Sequence, residues 1–335
     1  MPMNTQDATT VLEVQGLSTE FGPPGKARRA IDGISFMLKR GEILCLVGES
    51  GSGKSVTGAS IMGLIDPPGR IVEGSVRFAG TELRGASDTR MRALRGDRIS
   101  MVFQDPMSAL CPTMTIGDQL CNVVRAHARK SRAEAEKLAM EMLVKLDVSG
   151  PKERMRAYPH QLSGGMRQRI CIALAMINRP DVVIGDEPTT ALDVTTQAQI
   201  LYEVRKLCMQ AGTAAIWITH DMAVVSMLAD RVAVMYAGQI VEEGPTAEIL
   251  DRPFHPYTKA LLGAIPSSNR GMARLPQIRG EAPALGNWPT GCRFAPRCPH
   301  AEAACHVPVP MSAPSAARQV RCVKPLQIEE EAPAT

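Results

Sequence analysis

Residues 48–55 read Gly48-Glu49-Ser50-Gly51-Ser52-Gly53-Lys54-Ser55, which matches the phosphate-binding loop pattern G-x-x-x-x-G-K-[ST]. In this pattern the glycines let backbone N–H groups turn inward around phosphate oxygens, and the following helix presents its positive N-terminus. Lys54 places a positive charge at the β- and γ-phosphates, and Ser55 offers its hydroxyl to Mg²⁺. The segment therefore predicts a site for a nucleotide with its metal ion.

The sequence around this loop alternates between strand and helix patterns. Glu42 to Val47 is a short, nearly all-apolar run, typical of a strand buried on both faces. An apolar helical stretch, Val56 to Ile65, follows the loop. Strands and helices are also predicted elsewhere, at Val11 to Gln15, Ile34 to Leu38, Val72 to Phe78, Ile99 to Phe103, Ser131 to Val148, Val182 to Ile184, Thr195 to Met209, Ala214 to Thr219, Met222 to Leu228 and Val232 to Tyr236. This alternation predicts an α/β fold with a mostly parallel sheet.

Length and composition indicate a globular chain of two domains. The chain has 335 residues, of which 44% are hydrophobic, so a sizeable core can be buried. The net charge of +4 is small and the basic residues are scattered among acids, which argues against a nucleic-acid partner. The sequence shows no secretory signal and no apolar run near the ~18–20 residues that span a bilayer. We therefore expect a cytoplasmic protein whose membrane role, if any, comes through partners.

Two acids follow the apolar run Val182 to Ile184 and Gly185. Asp186 and Glu187 lie at the carboxyl end of a predicted strand, the edge where α/β sheets bind ligands. Asp186 suits the Mg²⁺ shell, and Glu187 can polarise the water that attacks the terminal phosphate. Together with the loop, these acids predict a nucleotide hydrolase.

A second anion-binding helix start is predicted at Leu162-Ser163-Gly164-Gly165-Met166. Ser163 can cap the helix that follows, and two glycines in the first turn leave its N–H groups bare. Taken alone, the segment could equally be an ordinary helix cap with a flexible lead-in. Its meaning depends on the motifs around it.

These motifs, in this order, resemble an ATP-binding cassette (ABC) over about residues 11 to 250. Leu162 to Met166 resembles the signature motif, Gln104 the Q-loop, Ala191-Leu192-Asp193 the D-loop and His220 the switch histidine. Two positions depart from the pattern, because Met166 stands where the family usually has Gln and Gly185 replaces a more usual apolar residue. Neither removes a group that touches phosphate or metal, so activity should survive.

The resemblance implies that two cassettes meet head to tail and hold ATP between them. Glu187 would activate water, His220 would hold Glu187 and the γ-phosphate in register, and Gln104 would sense Mg²⁺. Mg²⁺ would be bound through Ser55, Gln104 and Asp186. Residues implied to contact ATP are Phe21 (stacking on adenine), Gly48, Glu49, Ser50, Gly51, Ser52, Gly53, Lys54, Ser55, Ser163, Gly164, Gly165 and Asp193.

Further stretches are similar to the ATPases of dipeptide, oligopeptide and nickel permeases. They are Phe103-Gln104-Asp105-Pro106-Met107, Tyr158-Pro159-His160-Gln161, Met235-Tyr236-Ala237-Gly238, His255-Pro256-Tyr257-Thr258 and the Cys-containing tail after Gly291. The expected fold is an ABC cassette over residues 8–262, with a parallel-sheet core, an antiparallel β subdomain and a helical subdomain at about 105–165. A loop-rich, Cys-containing extension is expected over 263–335.

The same resemblance implies the ATPase of a bacterial importer at the cytoplasmic face of the inner membrane. Its partners would be a second ATPase subunit in a heterodimer, two membrane permease subunits and an external substrate-binding protein. Dipeptides or oligopeptides are the expected cargo, and nickel or glutathione are alternatives. A soluble ABC ATPase acting on nucleic acid or ribosomes is a further alternative, although such proteins typically carry two cassettes or a long coiled-coil insert.

Four cysteines in the tail raise the question of a metal site. Cys292, Cys298, Cys305 and Cys322 are spaced C-x5-C-x6-C-x16-C, which fits zinc poorly because zinc sites normally pair cysteines two to four apart. Four thiolates on a loop-rich segment suit an iron–sulfur cluster better, and the permease resemblance also indicates a [4Fe–4S] site. His300 and His306 are possible substitute ligands. Zinc and reduced structural thiols remain the alternatives.

Overall fold

A computed structural model describes residues 10–264 and 277–326 of the chain. Within these ranges an eight-stranded sheet forms the centre of the molecule, in the order β11-β12-β10-β9-β3-β8-β7-β6. Its strands are β3 (Ile43–Val47), β6 (Ile99–Val102), β7 (Val182–Asp186), β8 (Ala214–Thr219), β9 (Arg231–Tyr236), β10 (Gln239–Pro245), β11 (Ser312–Ser315) and β12 (Arg318–Val320).

Five neighbouring strands of this sheet, β6, β7, β8, β3 and β9, run parallel. Every residue of β3 and β8 is buried, because elements cover both faces of the sheet. The α/β fold with a parallel-sheet core, predicted from the alternating patterns, is confirmed. The carboxyl ends of the parallel strands share one edge, where the predicted catalytic side chains follow.

A second, antiparallel sheet packs on one face of the central sheet, in the order β2-β1-β4-β5. Its strands are β1 (Thr10–Phe21), β2 (Arg28–Lys39), β4 (Arg70–Phe78) and β5 (Thr81–Glu82). Leu17 and Ile34 of this sheet share a hydrophobic core with Leu46 of the central sheet. The strands β1 and β2 are longer than predicted, because their pairing shifts register between Val14 and Leu17 and this interrupts the period-2 pattern.

Helices surround the two sheets, and α4 to α7 pack together beside the central sheet. The helices are α1 (Lys54–Met62), α2 (Asp88–Leu94), α3 (Pro106–Ala109), α4 (Ile116–His127), α5 (Arg132–Lys145), α6 (Pro151–Arg156), α7 (Gly164–Met176), α8 (Val194–Ala211), α9 (Met222–Leu228), α10 (Thr246–Asp251) and α11 (Pro256–Gly263). The capping box predicted at Ser131 and Glu134 starts α5. The helices that were not predicted from the sequence are α2, α3, α4, α6, α10 and α11. Within the described ranges, no helix is both long and apolar enough to cross a membrane.

The C-terminal part of the chain joins the central sheet. Strand β12 pairs antiparallel with β10 and, with β11, forms a hairpin that adds two strands to the sheet edge. Before the hairpin, two short 3₁₀ turns cover Ala295–Arg297 and Ala303–His306. The domain limits, 8–262 and 263–335, stay predictions. Residues 8–9, 265–276 and 327–335, which these limits include, lie outside the described residues.

Candidate nucleotide-binding site

The phosphate-binding loop connects buried strand β3 to helix α1, and its glycines are required by their surroundings. A Cβ atom at Gly48, which has φ 154°, would lie 2.1 Å from the carbonyl oxygen of Met235. At Gly53, which has φ 102°, a Cβ atom would lie 2.7 Å from Cγ2 of Ile31. The loop is therefore wedged between β2 and β9, and side chains at these two positions would displace it.

Lys54 lies inside the loop. Its Nζ donates hydrogen bonds to the carbonyl oxygens of Gly48 at 2.9 Å and Glu49 at 3.1 Å, and the residue is 5% exposed. Burial lowers the pKa of this ammonium group, while Glu187, Asp186 and Glu49 act in the opposite direction. The lysine charge is thus held where phosphate oxygens would enter the loop.

Ser55 and Asp186 are brought together across the loop and strand β7. Ser55 Oγ donates a 2.8 Å hydrogen bond to Oδ1 of Asp186. The pKa of Asp186 is raised, chiefly by burial and further by the charge of Glu187. A hydroxyl and a carboxylate beside a phosphate loop are the donor set that Mg²⁺ uses when substrate phosphates supply other ligands, so these residues fit the metal.

Glu187 lies between Lys54 and His220. Its Oε1 is 4.0 Å from Lys54 Nζ, and its Oε2 is 3.2 Å from His220 Nδ1. The residue has φ 44°, a left-handed conformation that a non-glycine residue rarely adopts, and its N–H donates to Ile218 O at 3.0 Å. Strained backbone of this kind clusters at active sites because the surrounding structure must impose it. The geometry places a carboxylate, an ammonium group and an imidazole around one point.

Gln104 and Phe21 lie at the margins of this site. Gln104 is exposed two residues after β6, and β6 pairs with β7 so that Val102 lies opposite Gly185. Gln104 therefore follows the same sheet edge as Asp186. Phe21, at the end of β1, packs against Gly69, where a Cβ atom would come within 2.6 Å of its ring. Its stacking on adenine stays a prediction.

The residues expected to act on a partner's nucleotide lie at exposed helix starts. Ser163 caps α7 and accepts a 3.3 Å hydrogen bond from Met166 N, and Gly164 beside it is exposed, whereas Gly165 is partly buried. Asp193 caps α8 and accepts from Thr196 N at 3.0 Å, and this hydrogen bond lowers its pKa. Both helix starts are thus accessible to a second chain.

Comparison with known proteins places the site in a family. Residues 31–190 match the model of the ABC transporter family, and residues 241–305 match the model of the oligopeptide/dipeptide transporter C-terminal region. The dipeptide transport ATP-binding protein DppD of Bacillus subtilis is 49% identical over 296 residues, 88% of each chain. The chain belongs to the ABC transporter family. The oligopeptide transport ATP-binding protein AppD of Bacillus subtilis is 44% identical over 316 residues, 94% of this chain and 96% of AppD.

Solved ABC structures show the same cassette. The dimeric structure of MJ0796, a bacterial ABC transporter cassette, has a TM-score of 0.64 and 27% identity, covering 70% of this chain and 98% of that one. A post-hydrolysis state of the same cassette, bound to ADP and Pi, gives equal values. The family and these cassettes show that this ABC chain is an ATP hydrolase.

One departure from the ABC pattern has a packing reason. Gly185 lies directly opposite Trp217 of β8, and a Cβ atom at Gly185 would come within 2.8 Å of the indole ring. Trp217 is among the largest fully buried side chains. The tryptophan therefore fills the space that an apolar residue before Asp186 usually occupies. Met166, the other departure, packs partly buried against the larger core.

The predicted [4Fe–4S] cluster of this ABC chain is wrong. Cys292, Cys298, Cys305 and Cys322 line one small pocket, but no group of three or more His, Cys, Asp or Glu residues is arranged to hold a metal ion within residues 10–264 and 277–326. The same finding overturns the zinc alternative. Burial raises the pKa of Cys292 and Cys298, and that of Cys322 to about 11. All four cysteines are free, and the proposed substitute ligands His300 and His306 are exposed.

Sequence reasoning missed the residues that support the loop from the C-terminal part of the ABC chain. The N–H of Glu49 donates a 2.8 Å hydrogen bond to Tyr257 Oη, and the Glu49 carboxylate pairs with Arg297. Tyr257 belongs to a stretch that the sequence singled out, but as a family resemblance and not as a contact. No local pattern marks Arg297, because its partner lies 248 residues away.

Proposed function

We propose that this chain is the ATP-hydrolysing subunit of a bacterial importer of dipeptides or oligopeptides. The observation that carries the cargo class is the match of residues 241–305 to the oligopeptide/dipeptide transporter C-terminal region. The relatives named for dipeptide and oligopeptide transport support it, since each aligns along nearly the whole of this chain.

In the proposed mechanism, the loop residues bind ATP and Glu187 acts as general base. Lys54 leaves its carbonyl partners for the β- and γ-phosphates, and the loop N–H groups surround the phosphate oxygens. Glu187 takes a proton from water as the water oxygen bonds to the γ-phosphorus and the bond to ADP breaks. His220 holds the Glu187 carboxylate at the observed 3.2 Å. Mg²⁺, held by Ser55 and Asp186 with Gln104 nearby, would neutralise phosphate charge.

Each ATP is proposed to lie between two chains. The exposed start of α7 at Ser163 and Gly164 presents free N–H groups to a partner's γ-phosphate, and Asp193 at the start of α8 lies at the same kind of exposed helix end. The dimeric solved cassette supports this arrangement. We propose that the partner is a second, different ATPase subunit.

The remaining parts of the importer follow from the same proposal. This chain would associate with two membrane permease subunits at the cytoplasmic face of the inner membrane, and an external binding protein would deliver the cargo. Phe103 and Met107, beside Gln104, are exposed apolar side chains of the kind that a membrane subunit could cover.

Uptake by the reconstituted importer tests the cargo. Proteoliposomes carrying the full set of subunits should accumulate labelled dipeptides or oligopeptides when ATP is supplied on the side of this chain. Labelled glutathione and ⁶³Ni²⁺ serve as competing cargoes under the same conditions. ATP-dependent accumulation of nickel or glutathione without peptide uptake would overturn the peptide assignment and leave the ATPase assignment intact.

A further inference from the structure

We propose that Arg297 is a positioning residue for the phosphate-binding loop (residues 48–55, hereafter the ATP loop). It neutralises the Glu49 carboxylate and thereby sets the affinity for ATP. The ABC pattern assigns no role to this arginine, which lies in the C-terminal part of the chain. The inference rests on ATP binding at Lys54 and not on the peptide cargo. The contact joins the last part of the sequence to the first functional motif.

Arg297 donates hydrogen bonds to both carboxylate oxygens of Glu49. Its Nη1 donates to Oε2 at 2.7 Å and its Nη2 donates to Oε1 at 3.0 Å. The same guanidinium donates through Nε to Arg279 O at 2.9 Å and through Nη1 to Tyr236 Oη at 3.1 Å. The arginine side chain is only 6% exposed, and its pKa is raised chiefly by the hydrogen bonds to Glu49. A two-pronged pair of this kind fixes both position and charge.

Three buried aromatic side chains lie beside this pair. Tyr236, Tyr257 and Phe294 form an aromatic cluster with ring centroids 4.6–5.3 Å apart. Tyr257 also accepts the Glu49 N–H at 2.8 Å, so one loop residue is held at its backbone and at its side chain. A rotation of the Glu49 side chain toward Lys54 would have to break the arginine pair.

Charge explains why this loop needs a counter-ion. Glu49 is part of the loop itself, and its backbone oxygen accepts a 3.1 Å hydrogen bond from Lys54 Nζ, so its carboxylate belongs to a residue that contacts the ammonium group that receives the phosphates. Asp186 and Glu187 have roles in metal binding and catalysis, whereas Glu49 adds a negative charge at an anion site. Without Arg297 that charge would repel the ATP phosphates and compete for Lys54. Arg297 neutralises this charge, so the Glu49 carboxylate does not pair with the Lys54 ammonium group.

A matched arginine elsewhere allows the electrostatic role to be separated from a structural one. Arg318 of β12 is 3% exposed, pairs with the buried Glu242 and lies 3.7 Å over the ring of Phe254. It therefore also anchors the C-terminal part of the chain through a buried ion pair, but on β10 and not on the ATP loop. Arg318→Gln should lower stability without acting on the ATP site.

The experiment measures ATP turnover of the assembled ATPase and mant-ATP binding to the purified chain. Arg297→Gln should raise the KM for ATP and the Kd for mant-ATP about tenfold, within the range of coupling between two sites, with a much smaller change in kcat. Adding Glu49→Gln to Arg297→Gln should restore most of the affinity, because the unpaired charge is then gone. Arg318→Gln should leave the KM near that of the unchanged chain.

Three outcomes would overturn the proposal. The first is an effect of Arg297→Gln on KM no larger than that of Arg318→Gln, and the second is a lost affinity that Glu49→Gln does not restore. If Arg297→Gln does not fold, Arg297→Lys replaces it. Lysine keeps the positive charge but has no second nitrogen with which to bind both carboxylate oxygens of Glu49. The KM of Arg297→Lys should lie close to the unchanged value, and a tenfold rise would be the third contrary result. If the variants show the expected KM values but the importer takes up no peptide, only the cargo proposal would be overturned.

Discussion

Glu187 combines a strained backbone with the polar side chains of Lys54 and His220 beside it. Its φ of 44° costs a non-glycine residue about 1–3 kcal/mol, which the neighbouring strand must offset through the hydrogen bond from Glu187 N–H to Ile218 O. The Glu187 carboxylate lies between Lys54 and His220, whereas the Asp186 carboxylate accepts a hydrogen bond from Ser55. Two adjacent acids can therefore take different chemical roles.

Glu187→Gln should reduce ATP hydrolysis about 10²–10⁴-fold, the range for a lost general base. The amide keeps the size of the side chain, so ATP binding should persist and the chain should accumulate as a closed dimer. Phosphate release and sedimentation in the presence of ATP measure the two effects. Glu141→Gln, on the exposed face of α5, is the control. Hydrolysis at the unchanged rate would show that Glu187 is not the base.

At this scale the sequence predicted local geometry better than distant contacts. The loop glycines, Lys54 and Ser55 lie together because strand–loop–helix geometry is local, whereas the contact between Ser55 and Asp186 joins residues 131 positions apart. The roles assigned to these residues stay predictions. The Gly185–Trp217 fit was not predictable, since it depends on which strand lies beside β7. Arg297 was missed for the same reason, and the four tail cysteines misled because spacing alone does not place thiols around a metal.

Two helix starts, those of α5 and α7, have the same cap chemistry and different surroundings. Ser131 caps α5 through a complete capping box with Glu134, whereas Ser163 caps α7 and is followed by glycines and by no acid in the first turn. At α5 the Glu134 carboxylate interacts with the positive N-terminus of the helix, whereas no acidic side chain of the first turn does so at α7. Helix α7 is therefore prepared for an external anion.

Ser163→Ala and Ser131→Ala should each cost about 1 kcal/mol of stability, because both remove a helix cap. Only Ser163→Ala should reduce ATP turnover of the assembled ATPase, by about 10²-fold, the typical loss when one hydrogen-bond donor to a transition-state oxygen is removed. Thermal denaturation and steady-state turnover of both variants separate the effects. Equal turnover in the two variants would remove Ser163 from the site.

The two sheets and the C-terminal hairpin meet around a charged cavity. Arg231 of β9 lies between Glu42 and Glu243, with contacts of 3.2 Å to each. Burial raises the pKa of Glu243 to about 7, with Arg231 lowering it and Glu42 raising it further. The other charged residues that line the cavity are Glu13, Lys39 and Asp230. The pKa of Glu243 therefore depends on how the two sheets and the hairpin pack together.

Stability should fall as pH rises between about 4.5 and about 7. In this window folded Glu243 keeps its proton while the unfolded chain loses it, so the folded state binds more protons and the free energy of unfolding decreases with pH. Glu243→Gln should remove up to about 3 kcal/mol of this decrease. Denaturant midpoints of the unchanged chain and of Glu243→Gln, at pH 5 and pH 7.5, measure this decrease. An equal change of midpoint with pH in the two proteins would contradict the raised pKa of Glu243.

At the scale of the molecule, the alternating patterns predicted the α/β class because they reflect burial of individual elements. They did not predict that β12 would pair with β10, because three-residue strands such as Arg318–Val320 carry no periodic signal. Helix α4 is a different case, because Ile116, Leu120 and Val124 recur at helical spacing and Thr115 caps its start, so its local signal was present but was missed. Long-range pairing, and not local preference, decides the position of β12.

The contact between Glu49 and Arg297 also orders events during synthesis. Glu49 leaves the ribosome 248 residues before the arginine that matches it. A nascent cassette can form its phosphate-binding loop early, but the loop carries an uncompensated charge until Arg297 has also been synthesised. Under the role proposed for Arg297, nascent chains that lack it should bind ATP more weakly than chains that contain it.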